Sequence, residues 1–331
     1  MSIVLITHKE NYQDNEEFLQ SWDYGDFLIK NNRTVERFCI QHNNKTSYIQ
    51  TIKTTTRFGI SYYYLPRVIF NHDSHIEEFL RFTKKQKQTF IRIESGGSYH
   101  IPTAYTTKKT FHRQPQYSWL LDIEKPLDEI KMAMHQKTRY NIRLAEKKGV
   151  KIDEEKNIEL FWPIHVETAK RNNYISHPKN YIASLLQQKN TYQINARFQN
   201  ELVASAIILI HKKRAYYYFG ASSNTHRNVM GEYLMHMYII QHAQEHGCVL
   251  YDWWGMAGPA DKGSNNADCY HTYCWNKHHP FAGVARFKAG FGGYITSYPD
   301  ATEIPLDTVK YFIHKIKEKI FHKTVAGHPI G

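Results

Sequence analysis

Tyr192-Gln-Ile-Asn-Ala-Arg-Phe-Gln-Asn-Glu-Leu-Val-Ala-Ser-Ala-Ile-Ile-Leu-Ile210 is the stretch whose reading decides the fold. Residues 192–198 and 202–210 are two strand-like runs, and Gln199-Asn200 between them is a turn, so the segment reads as a hairpin. Ala215 to Gly220 adds a strand, Val229 to His246 carries a helical pattern, and Cys248 to Trp253 returns as a strand. The same order occurs earlier. Arg37 to Lys45 leads into Ser47 to Thr55 as strand, turn and strand, followed by Ile60 to Leu65, a helical stretch from His75 to about Gln86, and the alternating Thr89 to Ile93. Tyr62-Tyr63-Tyr64 holds in the first unit the place of Tyr216-Tyr217-Tyr218 in the second.

Hairpin, strand, helix, strand is the central order of the GNAT acyltransferase fold. The repeat therefore predicts an α/β (α+β) chain of two tandem GNAT-like domains, residues 1–148 and 149–303. A length of 331 residues, 41% apolar and 14% aromatic, is enough for two cores. Helices near Ile158 to Arg171 and Lys179 to Gln188 would cover the second sheet. Leu127 to Lys148 reads as one linker helix, with Pro126 near its first turn and Gly149 just past its end. The C-terminal segment Leu306 to Lys323 places Val309, Ile313, Ile316 and Ile320 on one face and lysines on the other. It suits a membrane-surface helix, but a helix (304–323) packed back on the first domain is the reading adopted.

Lysine and arginine exceed the acids by 43 to 31, a net charge of +12 with 20 histidines in reserve. Such an excess favours polyanionic partners and leaves nucleic acid, anionic lipid and phosphorylated metabolites open. No run approaches 18 apolar residues and the N-terminus lacks the pattern of a signal peptide, so a soluble, cytoplasmic protein is expected. Cys39, Cys248, Cys269 and Cys274 fit no zinc or redox spacing and read as reduced structural thiols. The irregular spacing of Cys269 and Cys274 with His271, His278 and His279 argues against a metal site.

Five blocks then stand out in order: Gln20-Ser-Trp-Asp-Tyr-Gly-Asp-Phe27, Met134 to Gly149, Tyr218-Phe-Gly-Ala-Ser-Ser223, Tyr251-Asp-Trp-Trp-Gly255, and Gly283-Val-Ala-Arg-Phe-Lys-Ala-Gly-Phe-Gly-Gly293. Together they resemble the Fem peptidyltransferases, aminoacyl-tRNA-dependent enzymes that add amino acids to peptidoglycan precursors. No run of charged heptads marks the long helical arm of the larger members, so the chain is similar to the compact, armless FemX-like form. Leu65-Pro-Arg-Val-Ile69 departs from the family's Pro-Arg-Gly-Pro turn, which bears on the acceptor's identity.

The resemblance implies attack of a precursor amine on the ester carbonyl of aminoacyl-tRNA. That reaction needs positioning and oxyanion stabilisation but no cofactor and no covalent intermediate. It carries Lys288 over to the aminoacyl-tRNA end, with Phe287 shaping the pocket or offering its carbonyl. Lys30 and Arg227 match the positions that hold the precursor's diphosphate, and Tyr117 and Asp122 those of the acceptor cleft. Asp122 is a candidate base, or a structural acceptor ending a strand; Asp252, at another strand end, has the same two readings. Lys137, Arg139, Arg143, Lys147 and Lys148 share helix faces and suit a tRNA track or a solvated basic face.

The function expected is therefore aminoacyl transfer to the stem peptide of a nucleotide- or lipid-linked precursor, by a monomer with possible peripheral membrane contact. An acyl-CoA N-acyltransferase is the rival. It is disfavoured because Arg227-Asn-Val-Met-Gly-Glu232 has Met230 and Glu232 where a pyrophosphate turn has glycines. A tRNA-binding module without catalysis is the third reading.

Overall fold

The computed structural model describes residues 2–56 and 59–322. They form two units, one made of the chain up to Gln114 together with the segment from Tyr298 onward, the other of Pro115–Ser297.

The first unit comprises β1 (Ser2–Ile6), α1 (Trp22–Lys30), β2 (Thr34–His42), β3 (Lys45–Thr55), β4 (Ser61–Val68), α2 (Asp73–Lys85), β5 (Phe90–Ser95) and β6 (Lys108–Lys109), with β16 (Thr302–Pro305) and α9 (Thr308–His322) returning from the far end of the chain. Its sheet runs β1-β2-β3-β4-β5-β16-β6, and β4 and β5 are parallel. Asn43 and Asn44, at φ 47° and 58°, supply the left-handed pair that closes the β2–β3 hairpin. Alternation then separates the faces: Phe38, Ile49, Tyr63, Leu65 and Ile91 pack with Ile76, Phe79 and Leu80 of α2, while Tyr62 and Phe90 meet Tyr311 of α9.

The Gln20–Phe27 block docks α1 on the sheet. Gln20 Nε2 donates to the carbonyls of Gln50 (3.0 Å) and Pro66 (2.7 Å). Arg37 donates to Gln50 Oε1, the Trp22 carbonyl and Asp26, with its guanidinium 3.8 Å above the Trp22 ring. A Cβ on Gly25 would displace the ends of the Gln50 and Arg37 side chains from this network. A buried pair, Arg92 and Glu303, ties β5 to β16 (Nε–Oε1 2.9 Å), and Tyr311 Oη and Lys315 Nζ also reach Glu303 at 2.7 and 3.2 Å.

The second unit comprises β7 (Tyr117–Asp122), α3 (Leu127–Ala133), α4 (Gln136–Lys147), β8 (Lys151–Glu154), α5 (Ile158–Arg171), α6 (Lys179–Leu186), β9 (Thr191–Phe198), β10 (Glu201–His211), β11 (Arg214–Ser222), α7 (Gly231–Glu245), β12 (Leu250–Gly255), β13 (Ala267–Tyr270), β14 (Tyr273–Asn276), α8 (Ala282–Ala289) and β15 (Tyr294–Ser297). Its sheet runs β15-β7-β12-β11-β10-β9-β8, and β11 and β12 are parallel. Thus β9-β10-β11-α7-β12 repeats β2-β3-β4-α2-β5, the two GNAT-like cores that the sequence order implies. Ile194, Ala196, Ala206 and Ile208 share a core with Met235, Ile239 and Ile240 of α7 and with Ile142 of α4. Among the described residues no helix is long and apolar enough to cross a membrane.

Two expectations are corrected. The boundary lies near 114, not 148, because β7 pairs with both β12 and β15 in the second sheet and brings α3 and α4 with it. The single helix expected over Leu127–Lys148 is two. Met134 is extended (ψ 151°), the His135 side chain caps α4 by accepting from Lys137 N, and the His135 N–H donates to the Gly290 carbonyl at 2.9 Å. A tertiary hydrogen bond at that residue outweighs one more turn of helix.

Candidate active site

The parallel ladder between β11 and β12 ends at Tyr216–Asp252. Just beyond it both strands bulge. β11 carries the extra residue Tyr218 against β10, and β12 slips against β7 between Asp252 and Gly255, with Trp254 at φ 59°. Bulges re-aim strands and end pairing, and a non-glycine residue in the left-handed region is held there by its surroundings.

Lys288 of α8 is what fastens this strand end. Its Nζ donates to the carbonyls of Trp253 (2.8 Å) and Gly255 (2.6 Å), spanning the twisted residue between them. The side chain is buried, 5.8 Å from the Tyr217 ring centroid. Burial lowers its pKa to about 7 against the opposing pull of Asp252. As an ammonium it has three donors, of which the two carbonyls take two. Asp252 is itself buried. It accepts from the Ser118 hydroxyl and from Trp254 N (2.9 Å), and Arg214 Nη1 lies 3.8 Å away. His236 is held far below its ordinary pKa by burial and by Lys288, so it is neutral, with Nδ1 3.0 Å from Tyr251 Oη. Phe287 closes the wall, its ring 5.0 Å from Tyr233 and 5.4 Å from both His236 and Phe291.

The glycines after Lys288 are architectural. A Cβ on Gly290 would meet Thr138 Oγ1 of α4 at 2.6 Å, and Gly293 (φ 101°) passes against the Leu120 carbonyl of β7. Trp119 Nε1 donates to the Gly292 carbonyl at 2.7 Å. The signature thus seats α8 between α4 and β7, and that seating delivers Lys288 to the end of β12.

The structure brings some candidates to this end and leaves others away from it. Tyr117, at the start of β7, stands beside Gly258 and 6.2 Å from the His279 ring. Asp122 closes the opposite end of the same strand, about 17 Å away at 3.4 Å per residue, exposed and accepting from Glu124 N. The carboxylate beside Lys288 is instead Asp252. Arg227 is exposed in a 3-10 turn ahead of α7, and Met230 takes the left-handed N-cap position at φ 59°. Lys30 is exposed at the last turn of α1, in the first unit.

On α4, Lys137, Tyr140, Arg143 and Lys147 are exposed at three- and four-residue spacing. Arg139 is not part of that row: its Nη1 holds the carbonyls of Met132 (2.9 Å) and Met134, closing α3. Lys148 donates to the Asn228 carbonyl at 2.7 Å. Beside the start of α4 lies a group that no local sequence pattern assembles. Arg286 stacks 4.5 Å over Tyr270, Tyr270 Oη bonds His135 Nδ1 at 2.8 Å, and His271 Nε2 reaches the Ala133 carbonyl at 3.2 Å. Cys269 and Cys274, expected reduced, face each other across β13–β14 and form a disulfide with Cα atoms 4.0 Å apart. Adjacent pairing on a short hairpin enforces what sequence spacing does not advertise, and it removes both sulfurs from any ligand set.

The FemAB family model matches residues 66–198 and again 182–319. Lipid II:glycine glycyltransferase of Staphylococcus saprophyticus is 29% identical over 119 residues, 36% of this chain and 25% of the relative. Aminoacyltransferase FemB of Staphylococcus epidermidis is 27% identical over 139 residues, 42% of this chain and 29% of the relative. The chain thus matches between a quarter and a third of the length of these curated relatives. Among solved structures, FemX superposes with a TM-score of 0.73 at 15% identity, covering 95% of this chain and 99% of that one. The C-terminal domain of a lysylphosphatidylglycerol synthetase from Agrobacterium fabrum gives 0.54 at 13%, covering 86% and 87%.

Proposed function

This chain belongs to the FemAB family, and from that premise we propose that it is an aminoacyltransferase moving an amino acid from aminoacyl-tRNA to the stem-peptide amine of a peptidoglycan precursor. The activities of the relatives, glycyl and aminoacyl transfer, support the reaction class. The observation that carries the reading is Lys288, a buried cation fixed at the bulged end of β12.

In the reaction the precursor amine, having lost a proton, attacks the ester carbonyl carbon. The C–N bond forms, the ester C–O bond breaks, and the ribose oxygen leaves and takes up a proton. Negative charge appears on the carbonyl oxygen between these events. A desolvated ammonium whose position is fixed by two carbonyls stabilises that charge without reorganisation. Asp252 keeps Lys288 protonated more than burial alone would allow. Phe287 walls the pocket, and Tyr117 is assigned to the acceptor. Asp122 stands at the other end of β7, so the role of base is not given to it. Lys30, exposed on the first unit, and Arg227, exposed on the second, are each proposed as a phosphate contact.

The donor RNA is assigned to the exposed row Lys137, Arg143 and Lys147 with Tyr140, extended by Tyr270, Arg286 and His271. Cations interleaved with aromatic faces suit phosphates and unstacked bases. Acting on aminoacyl-tRNA places the protein in the cytoplasm.

The test is mass spectrometry of the UDP-linked and lipid-linked pentapeptides after incubation with mixed aminoacyl-tRNAs. One added aminoacyl residue, lost in Lys288→Met, supports the proposal. Intact ester in every mixture, or consumption of acetyl-CoA instead, overturns it.

A further inference from the structure

Helix α9 packs on the first unit with its polar side inward. Tyr311, His314, Lys315 and Glu318 face the sheet. Tyr311 Oη and Lys315 Nζ bond the buried Glu303, Glu318 lies 3.4 Å from Arg92, and the His314 ring sits 5.0 Å from that of Phe90. The apolar stripe is on the other side. Val309, Phe312, Ile313 and Ile316 are 72, 64, 41 and 44% exposed, and their 3-1-3 spacing makes them one continuous row. The side chain of Ile320 and all of Lys323 lie outside the described residues. The helix sequence carries lysines at 310, 315, 317 and 319 and one acid, Glu318, which is turned inward. At 100° per residue Lys310 and Lys317 border the apolar row.

We propose that α9 is a membrane-surface helix that lies in the headgroup layer of an anionic bilayer with Val309, Phe312, Ile313 and Ile316 inserted. An apolar row edged by Lys310 and Lys317, the former paired with Asp307 at 3.5 Å, keeps a net positive border and is complementary to such a surface in both hydrophobicity and charge. A second copy of the chain is a poorer occupant, because pairing two such faces sets lysine rows against each other in molecules that each carry +12. The buried network of Arg92, Glu303, Tyr311 and Lys315 holds the helix to its unit, so the outward row is free to dock without unfolding anything. The inference stands without the reading of the reaction; if both hold, the enzyme works beside a lipid-linked acceptor.

The experiment is flotation of the full chain with vesicles of phosphatidylcholine alone, or of phosphatidylcholine mixed with phosphatidylglycerol. The wild type should float with the mixed vesicles and much less with the neutral ones. Phe312→Ser combined with Ile316→Ser should lower partitioning by about tenfold or more, the loss of two inserted side chains. Lys310→Glu with Lys317→Glu should remove the preference for anionic lipid. Thermal melts, which substitutions at exposed positions leave unmoved, confirm that each variant is folded. In a second readout, Trp at position 312 (Phe312→Trp) should shift its emission to the blue on anionic vesicles. Three results overturn the proposal: no flotation of the wild type, equal flotation of the serine variant, or a concentration-dependent dimer that the serine variant abolishes.

Discussion

Lys288 Nζ donates to the Gly255 carbonyl at 2.6 Å, from the last turn of a helix to the last residue of a strand that lies 33 residues earlier. Replacing it with methionine keeps the bulk and removes the charge. Transfer should fall by about 10²–10³-fold, the loss associated with one oxyanion donor, while the fold persists. The pH dependence has a definite sign. The folded pKa is about 7 and the unfolded value 10.5, so between those limits the unfolded chain binds more protons and stability rises with pH. Lys288→Met should flatten that rise. Urea midpoints from pH 7 to 10, compared as wild type minus variant, give the answer; parallel curves would mean that the lysine is not desolvated.

Two glycines of the same signature should respond in opposite directions. Gly293→Ala places a Cβ at positive φ and against the Leu120 carbonyl, and should destabilise by about 2–4 kcal/mol. Gly283, in the first turn of α8 with nothing within 4 Å of its Cβ position, should tolerate alanine or gain up to about 1 kcal/mol. Chemical melts of the pair test the claim that only the later glycines are required by packing.

The basic residues of α4 should likewise divide. Lys137→Gln, Arg143→Gln and Lys147→Gln together should flatten the dependence of log tRNA affinity on log salt by more than about one unit, since each lost phosphate contact is worth about 0.9. Arg139→Gln should leave that slope alone and lower the melting temperature, because its guanidinium closes α3. An effect of Arg139 on the slope equal to that of its neighbours would contradict the division.

Glu303→Gln should cost about 3 kcal/mol, because it removes the fully buried partner of Arg92 and leaves it only the half-buried Glu318 at 3.4 Å. Burial alone would raise the Glu303 carboxyl, but Arg92, Tyr311 and Lys315 outweigh it and hold the pKa below the ordinary value. The stability that this carboxylate contributes is therefore present above the unfolded pKa and lost as pH falls through the folded one. Acid titration of the urea midpoint should show that loss in the wild type and not in the variant.

The repeated order of strands and helices was readable because Gln199-Asn200 and the alternating runs around it are local signals, as are those around residue 43. The boundary was not. Nothing in Tyr117–Asp122 says which sheet will accept it, since strand pairing over 130 residues leaves no local trace. The break at Met134 was hidden for a related reason: it contains neither glycine nor proline and is enforced by a carbonyl from residue 290. The periodicity of α9 was legible, whereas the face it buries was not, because a buried ion pair chose the polar one. At the site, the position of Lys288 was legible from its motif, whereas its burial was not, lysine being a residue that is seldom enclosed.

The return of β16 between β5 and β6 makes the second unit an insertion within the first. On the ribosome, therefore, the unit that begins second is finished first. Residues 115–297 hold every strand of their own sheet, whereas the earlier unit lacks β16 at the edge of β5, and with it Glu303 beside Arg92, until residue 305 is released. The order in which the two sheets can be completed is thus the reverse of the order in which they are begun, and a nascent chain stalled before 298 would present an open strand edge that invites association with other chains.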